Sequence, residues 1–171
     1  MEFNQLVRER RSCRHFNSNE ISDEILYSIL ENGRLCQSAM NRQPWEIKIL
    51  KGNEKTKIAE ILENDEDEAI HLNDSFIRDC NVLLLIYTDQ ENETNVSNLI
   101  SIGAMIEHLC LSATDNGLGS LWNRYLTRKS KEINETLKIK DKYLVSGVLL
   151  GYFDGELRKR PRKYLEEIIM K

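Results

Sequence analysis

Val82-Leu83-Leu84-Leu85-Ile86-Tyr87 is an unbroken apolar run of strand length. A strand open to water on one face alternates apolar and polar residues, whereas a continuous run is covered on both faces. This segment is therefore expected at the centre of a sheet with helices on either side. Tyr143 to Phe153, with glycines at 147 and 151, reads as a second buried strand. Glu46 to Leu50 sets Ile47 and Ile49 against Glu46 and Lys48, the alternation of a short strand that stops at Gly52. Gly119 to Leu126 is a short connection or a further strand.

Helical spacing fills the intervals. Phe3, Leu6 and Val7 lie on one face of a short helix over Glu2 to Arg10. Ser22 is a good N-cap, with Asp23 and Glu24 in the favoured first turn. The apolar stripe that follows is Ile25, Leu26, Ile29, Leu30 and Leu35, in a helix ending near Gln37-Ser38. Lys55 to Leu62 and Ser130 to Leu137 are short helices, and Ala69 to Asp79 is expected as another. Leu99 to Asn116 is the clearest buried helix, lined by Ile102, Met105, Ile106, Leu109, Cys110 and Ala113 and stopped by Gly117. Irregular alternation of helices and strands predicts a mixed α+β or α/β layered domain.

A chain of 171 residues is expected to form one domain over residues 1–171. Its size allows it to bury roughly 70% of its unfolded surface. A net charge of −4 argues against nucleic acid as the partner of the whole chain. No uninterrupted apolar run approaches the roughly 20 residues that span a bilayer, and the first residues carry no signal-peptide pattern. Cys13, Cys36, Cys80 and Cys110 are scattered and form neither CxxC pairs nor zinc spacings with the three histidines. Reduced thiols in a cytoplasmic protein are the simplest expectation, with no metal site and no membrane.

Chemistry concentrates in a few places. Arg10-Arg11-Ser12-Cys13-Arg14-His15-Phe16 packs three forked cations and a hydroxyl just before a marked helix. Guanidinium suits phosphate and other oxyanions. From these residues alone, a phosphate-binding segment and a solvated basic turn fit equally. Arg158-Lys159-Arg160-Pro161-Arg162-Lys163 is a second basic cluster, and the two together could clamp one phosphate dianion. Asn41 and Gln43, in a loop before a strand, could offer amides to a heterocycle edge; Gln43 could equally brace the loop. Trp45 reads as core packing, His108 as structural in a buried helix, and the acidic run Glu63 to Glu68 as solvent-facing. GxGxxG, GxxxxGK[ST] and GxSxG are all absent.

Four landmarks in order make the chain resemble the FMN-dependent nitroreductase family. They are Arg10 to Phe16, similar to R-[RH]-S-x-[RK]-x-F; Ser38-Ala39-Met40-Asn41-Arg42-Gln43-Pro44-Trp45, similar to S-x-x-N-x-Q-P-W; Gly117-Leu118-Gly119-Ser120-Leu121-Trp122 after a long helix; and Gly151-Tyr152 followed by Arg160-Pro161-Arg162. The resemblance implies a nitroreductase-like fold, a central mostly antiparallel sheet flanked by helices, with FMN at a homodimer interface.

It also implies roles. Arg10 and Ser12 match residues that hold the phosphate and ribityl chain, Arg11 a neighbouring flavin contact, and Arg14 the cation near the pyrimidine end of the ring. Ser38 and Asn41 match residues that approach the flavin from the partner subunit, with Gln43 in the same loop. Arg160 and Arg162 match C-terminal phosphate contacts. The backbone N–H beside the flavin N5 falls within Asn123 to Tyr125, at Arg124. Arg14 and Arg124 are thus possible modulators, and no catalytic side chain is required, because the flavin does the chemistry. The implied activity is NAD(P)H-dependent, ping-pong reduction of nitroaromatic, quinone or similar acceptors. The short stretch from Asp89 to Asn98, where longer members place covering helices, leaves open a non-catalytic or redox-sensing flavin-binding module. A large cation at Arg124 could favour anionic substrates.

Overall fold

Every side chain from Val82 to Thr88 is buried in strand β2 (Val82–Asp89). In the computed structural model, which describes residues 1–63 and 65–170, it sits inside a sheet with β1 (Glu46–Leu50), β3 (Gly119–Asn123) and β4 (Lys142–Gly151). The strand order is β1-β2-β4-β3, and each neighbouring pair is antiparallel.

Strand pleating splits β2 between two cores. Val82, Leu84 and Ile86 pack with Leu26 and Ile29 of α2 (Asp23–Arg34) and with Ile102, Met105, Ile106 and Leu109 of α6 (Val96–Asp115). Leu83, Leu85 and Tyr87 pack on the other face with Ile58 and Leu62 of α3 (Gly52–Glu63), Ile77 of α5 (Asn73–Asp79) and Ile133 of α7 (Ser130–Leu137). The expected helix–sheet–helix layering follows directly from that unbroken apolar run. Among the described residues the remaining α-helices are α1 (Phe3–Glu9) and the single turn α4 (Glu68–His71).

The Ser22 hydroxyl accepts from the Ile25 N–H at 3.3 Å, as its capping role requires. α2 nevertheless ends at Arg34, before the predicted Gln37-Ser38, and Leu35 points outward at 64% exposed. The stripe is closed instead by Gly33, which is buried where α2 crosses α6. The helix expected over Ala69 to Asp79 is two pieces, α4 and α5, joined at Leu72. α6 starts at Val96, capped by Asn95, whose side chain accepts from the Asn98 N–H at 3.1 Å. Its 20 residues are apolar enough by length and composition to cross a bilayer, with a mean hydropathy of 1.3, contrary to the expectation that nothing approached this. Its buried residues face the sheet and α2, so it serves here as a core helix.

Two further expectations are corrected. His108 is exposed on α6, its Nδ1 at 3.0 Å from the Ala104 carbonyl. The acidic run is paired as well as solvated. Asp65 meets Lys129 at 2.5 Å, Asp67 meets Arg128 at 2.6 Å and Glu63 meets Arg78 at 2.6 Å. Asp67 also caps α4 by accepting from the Ala69 N–H at 2.8 Å. Asn64, within that run, lies outside the described residues. These partners are far away in the chain, so local composition could not reveal them.

Candidate functional site

The arginine segment lies along the free edge of β3. Ser12 bridges Ser120 in parallel, and the Cys13 N–H donates to the Ser120 carbonyl at 2.8 Å. Further on, the Asn17 N–H donates to the Tyr152 carbonyl at 2.8 Å. In extended backbone, alternate side chains share a face. Cys13 turns inward and is fully buried, while Arg10, Ser12 and Arg14 line a common cleft.

Two glycines let the segment lie so close. A Cβ on Gly119 would stand 2.6 Å from the Cys13 Cβ, and one on Gly151 would stand 2.7 Å from the Phe16 ring. Gly119 belongs to the third sequence landmark and Gly151 to the fourth, so the presence of these two has a packing reason.

The C-terminal cluster comes to the same place. Arg158, Arg160 and Arg162 join Arg10, Arg11, Ser12 and Arg14 around a cleft of about 330 Å³, and no acidic residue is among the described residues that line it. Arg10 is paired with Glu107 at 3.1 Å. The Arg11 Nη1 donates to the Arg10 carbonyl at 2.6 Å, and its buried Nε has no hydrogen-bond partner among the described residues. Crowded guanidinium groups around a buried unused donor suit a multiply charged oxyanion. Arg158 was not singled out in the sequence; its i, i+2, i+4 relation to Arg160 and Arg162 was the available signal.

Arg14 also lines a second cleft of about 440 Å³, together with Leu72, Asn73, Phe76, Leu121, Arg124 and Tyr125. A buried amide pair underlies it. The Asn123 Nδ2 donates to the Asn73 Oδ1 at 2.8 Å, and the Asn73 Nδ2 donates to the Ala69 carbonyl at 2.5 Å. The Tyr125 N–H donates to the Asn123 Oδ1 at 3.0 Å. The Tyr125 N–H is thereby committed, and Arg124, between it and the end of β3, lines the cleft. The ion pairs Asp65–Lys129 and Asp67–Arg128 tie the following turn to α4, which forms part of the wall of this cleft. The Arg128 guanidinium also lies 5.2 Å from the centre of the Tyr125 ring.

Ser38, Asn41 and Gln43 stand apart. Ser38 lines a cleft with Ser97, Ile100 and Ala104, whereas Gln43 lines one with Trp45 and Asn98. Neither residue lines either of the two clefts that Arg14 lines, and Asn41 is exposed beside them in sequence. Their loop is strained, with φ of 54° at Met40, 53° at Asn41 and 47° at Gln43. Left-handed backbone at non-glycine residues persists only when surrounding contacts hold it. Here the Gln43 N–H donates to the Ser38 Oγ at 2.9 Å, and the Ala39 N–H donates to the Ser101 Oγ at 3.1 Å. Gln43 braces the loop further through its Nε2 and the Asn41 carbonyl at 3.4 Å, and Trp45 packs on the core, both as expected.

No cysteine is prepared as a nucleophile. Burial pushes the Cys80 thiol up to about 12 and the Cys110 thiol up to about 11. Burial also raises Cys13, more than the His15 carbonyl and Arg14 lower it. Among the described residues no group of His, Cys, Asp or Glu is arranged to hold a metal.

Residues 7–152 match the family model described as the Nitroreductase family. The chain belongs to the nitroreductase family. One curated relative, from Archaeoglobus fulgidus and provisionally named as an NADH dehydrogenase/NAD(P)H nitroreductase, is 26% identical over 153 residues, covering 86% of this chain and 83% of its own. Among solved structures, the FMN-dependent nitroreductase of Mycobacterium smegmatis in complex with NADPH superimposes with a TM-score of 0.85 at 17% identity, covering 98% of this chain and 96% of its own. A nitroreductase from Bacteroides fragilis with bound FMN does so with a TM-score of 0.80 at 19% identity, covering 100% and 99%. The nitroreductase fold expected from the four landmarks is therefore the fold found.

Proposed function

We propose that this member of the family is an FMN-dependent oxidoreductase. It would take electrons from NAD(P)H and reduce nitroaromatic, quinone or similar acceptors, as a homodimer in the cytoplasm. The observation that carries the proposal is the meeting of the two basic clusters on one cleft, which supplies an excess of forked donors and an unused buried Arg11 Nε. That donor set fits the phosphate of FMN.

Arg10, Arg11, Ser12, Arg158, Arg160 and Arg162 would hold the phosphate and ribityl end. Arg14, which lines both clefts, would place its charge toward the ring, and the Arg124 N–H would face the ring's reactive edge. When bound, FMN supplies the two-electron chemistry between donor and acceptor. The protein's part is to bind, orient and set the local charge.

Ser38, Asn41 and Gln43 would serve the site of a second copy. Exposed apolar side chains support such an assembly: Phe3 at 68% on α1, and Val96 at 66% and Ile100 at 68% on α6. Four unpaired cysteines suit a reducing compartment.

The test is the visible spectrum of the purified protein, followed by identification of any pigment released by heat. A yellow protein that releases about one FMN per subunit and is reduced by NADH or NADPH is the expected result. Colourless protein that takes up no added FMN would overturn the proposal. FMN binding without turnover by any donor would leave a non-catalytic flavin protein in its place.

A further inference from the structure

We propose that the cleft shared by Trp45 and Asn98 binds the vicinal diol of a sugar ring. This binding does not depend on the oxidoreductase proposal above, and neither of the clefts that Arg14 lines takes part in it.

Asp89, Asn92, Asn95 and Asn98 recur every three residues, and all four line one cleft of about 380 Å³ together with Glu46 and Trp45. A 3-10 turn over Gln90–Asn92 is followed by a bond from the Asn95 N–H to the Asn92 carbonyl at 3.0 Å. Backbone bonded at this spacing has three residues per turn, so every third side chain falls on one side.

Two of the asparagines hold the last one. The Asn95 side chain accepts from the Asn98 N–H at 3.1 Å, and the Asn98 Nδ2 donates to the Asn92 Oδ1 at 2.8 Å. Asn98 is only 4% exposed, and its Oδ1 has no hydrogen-bond partner among the described residues. A buried acceptor left unpaired is costly, and one on the wall of a cleft is satisfied by a ligand that brings a donor.

The charges decide what kind of donor that is. The Lys142 ammonium pairs with the Glu46 Oε1 and with the Asp89 Oδ1, the latter at 2.7 Å. A metal ion or an organic cation would compete with that ammonium, and an anion would meet both carboxylates. A neutral O–H donor meets neither cost. Adjacent hydroxyls on a sugar ring can donate to the second carboxylate oxygens and to the Asn98 Oδ1, as ribose hydroxyls do to acidic residues elsewhere. Arg42 lines the cleft without an ion-pair partner among the described residues, its Nη2 donating to the Met40 Sδ at 3.2 Å, so further N–H groups are left for hydroxyl oxygens. Half-buried Trp45 supplies apolar surface for the carbon face of the ring. Asn98 lies two residues from both Val96 and Ile100, about 200° around α6 from each, so the exposed pair that would meet a second copy is on the other side of the helix.

A free sugar and the ribose of a nucleotide such as NADH share this chemistry. The experiment titrates the purified protein calorimetrically with methyl β-D-ribofuranoside and with its 2-deoxy analogue, which lacks the diol. Wild type is expected to bind the riboside about tenfold more tightly, and Asn98→Ala should remove most of that advantage. Asp89→Ala should do the same with FMN content unchanged, and it covers the case in which Asn98→Ala fails to fold. A raised KM for NADH at unchanged kcat in these variants would identify the donor's ribose as the natural ligand, and unchanged NADH kinetics a free sugar; both uphold the diol site. No riboside binding by wild type, equal binding of the riboside and its 2-deoxy analogue, or affinities unchanged in both variants would overturn the inference. Riboside binding by a protein that takes up no FMN would uphold the site while the oxidoreductase proposal fell.

Discussion

The Asn123 Nδ2 donates to the Asn73 Oδ1 at 2.8 Å, and both residues are almost completely buried. This single contact joins the end of β3 to the start of α5, and it fixes the turn that carries Arg124 and Tyr125. Asn73→Ala strands the Asn123 donor inside the protein. An unsatisfied buried polar group costs about 1–3 kcal/mol, and urea denaturation should register a loss of that size. Asn123→Ala in the Asn73→Ala background should add little through their shared bond, because the partner is already gone. Full additivity of the two losses would show that the pair does not act as a unit.

Strand β2 and both basic clusters were legible because their signals are local. An unbroken apolar run says that both faces are covered, and six arginines in two short segments are visible by inspection. The signals that failed depend on residues remote in sequence. Asp65 and Asp67 read as solvated because Lys129 and Arg128 lie more than a helix away. Leu35 fitted a helical stripe but falls beyond the point where α2 stops. The left-handed backbone at Met40, Asn41 and Gln43 was hidden because none of these is glycine. That the two chain ends share one cleft was suggested by their common chemistry, forked cations suited to one phosphate, and was given residue by residue only through family resemblance; no periodicity encodes it.

The Asp65–Lys129 pair gives stability a pH dependence with a definite sign. The Lys129 ammonium beside it, with the Asp67 N–H, holds the Asp65 carboxyl below the usual carboxylate value. A carboxyl depressed on folding contributes stability that is complete above its unfolded value, about 4, and is lost as pH falls through the lower folded value. Urea midpoints measured between pH 7 and pH 2.5 should therefore fall more in wild type than in Asp65→Asn. Parallel curves for the two proteins would show that the pair contributes nothing to acid sensitivity.

Arg160 and Arg162 approach the cleft of Arg10, Arg11 and Ser12 from the C-terminal end, and Arg158 lines it beside them. Changing Arg160 and Arg162 together to alanine removes two charged hydrogen-bonding partners, each worth about 1.5–3 kcal/mol when an anion is bound. FMN affinity should fall by at least about a hundredfold, with the visible colour lost on dialysis. Arg158→Ala should weaken FMN by a smaller factor of the same kind. Unchanged affinity in all three positions would mean that the C-terminal cluster meets the cleft without serving it.

Among the described residues Arg14 is the one cation that lines both clefts, so its removal should separate binding from redox tuning. A reduced flavin carries negative charge on its pyrimidine side, and a fixed guanidinium nearby favours that state over the neutral oxidised ring. Arg14→Ala should therefore loosen FMN about tenfold or more and also lower its midpoint potential. Arg160→Ala, acting at the phosphate alone, should loosen FMN with little change in potential. The check is a spectroelectrochemical titration of both variants at saturating FMN. A potential that stays at the wild-type value in Arg14→Ala while affinity falls would confine Arg14 to the phosphate end. Equal shifts in both variants would mean that the effect is a general loss of positive charge, with no special role for the position shared by the two clefts.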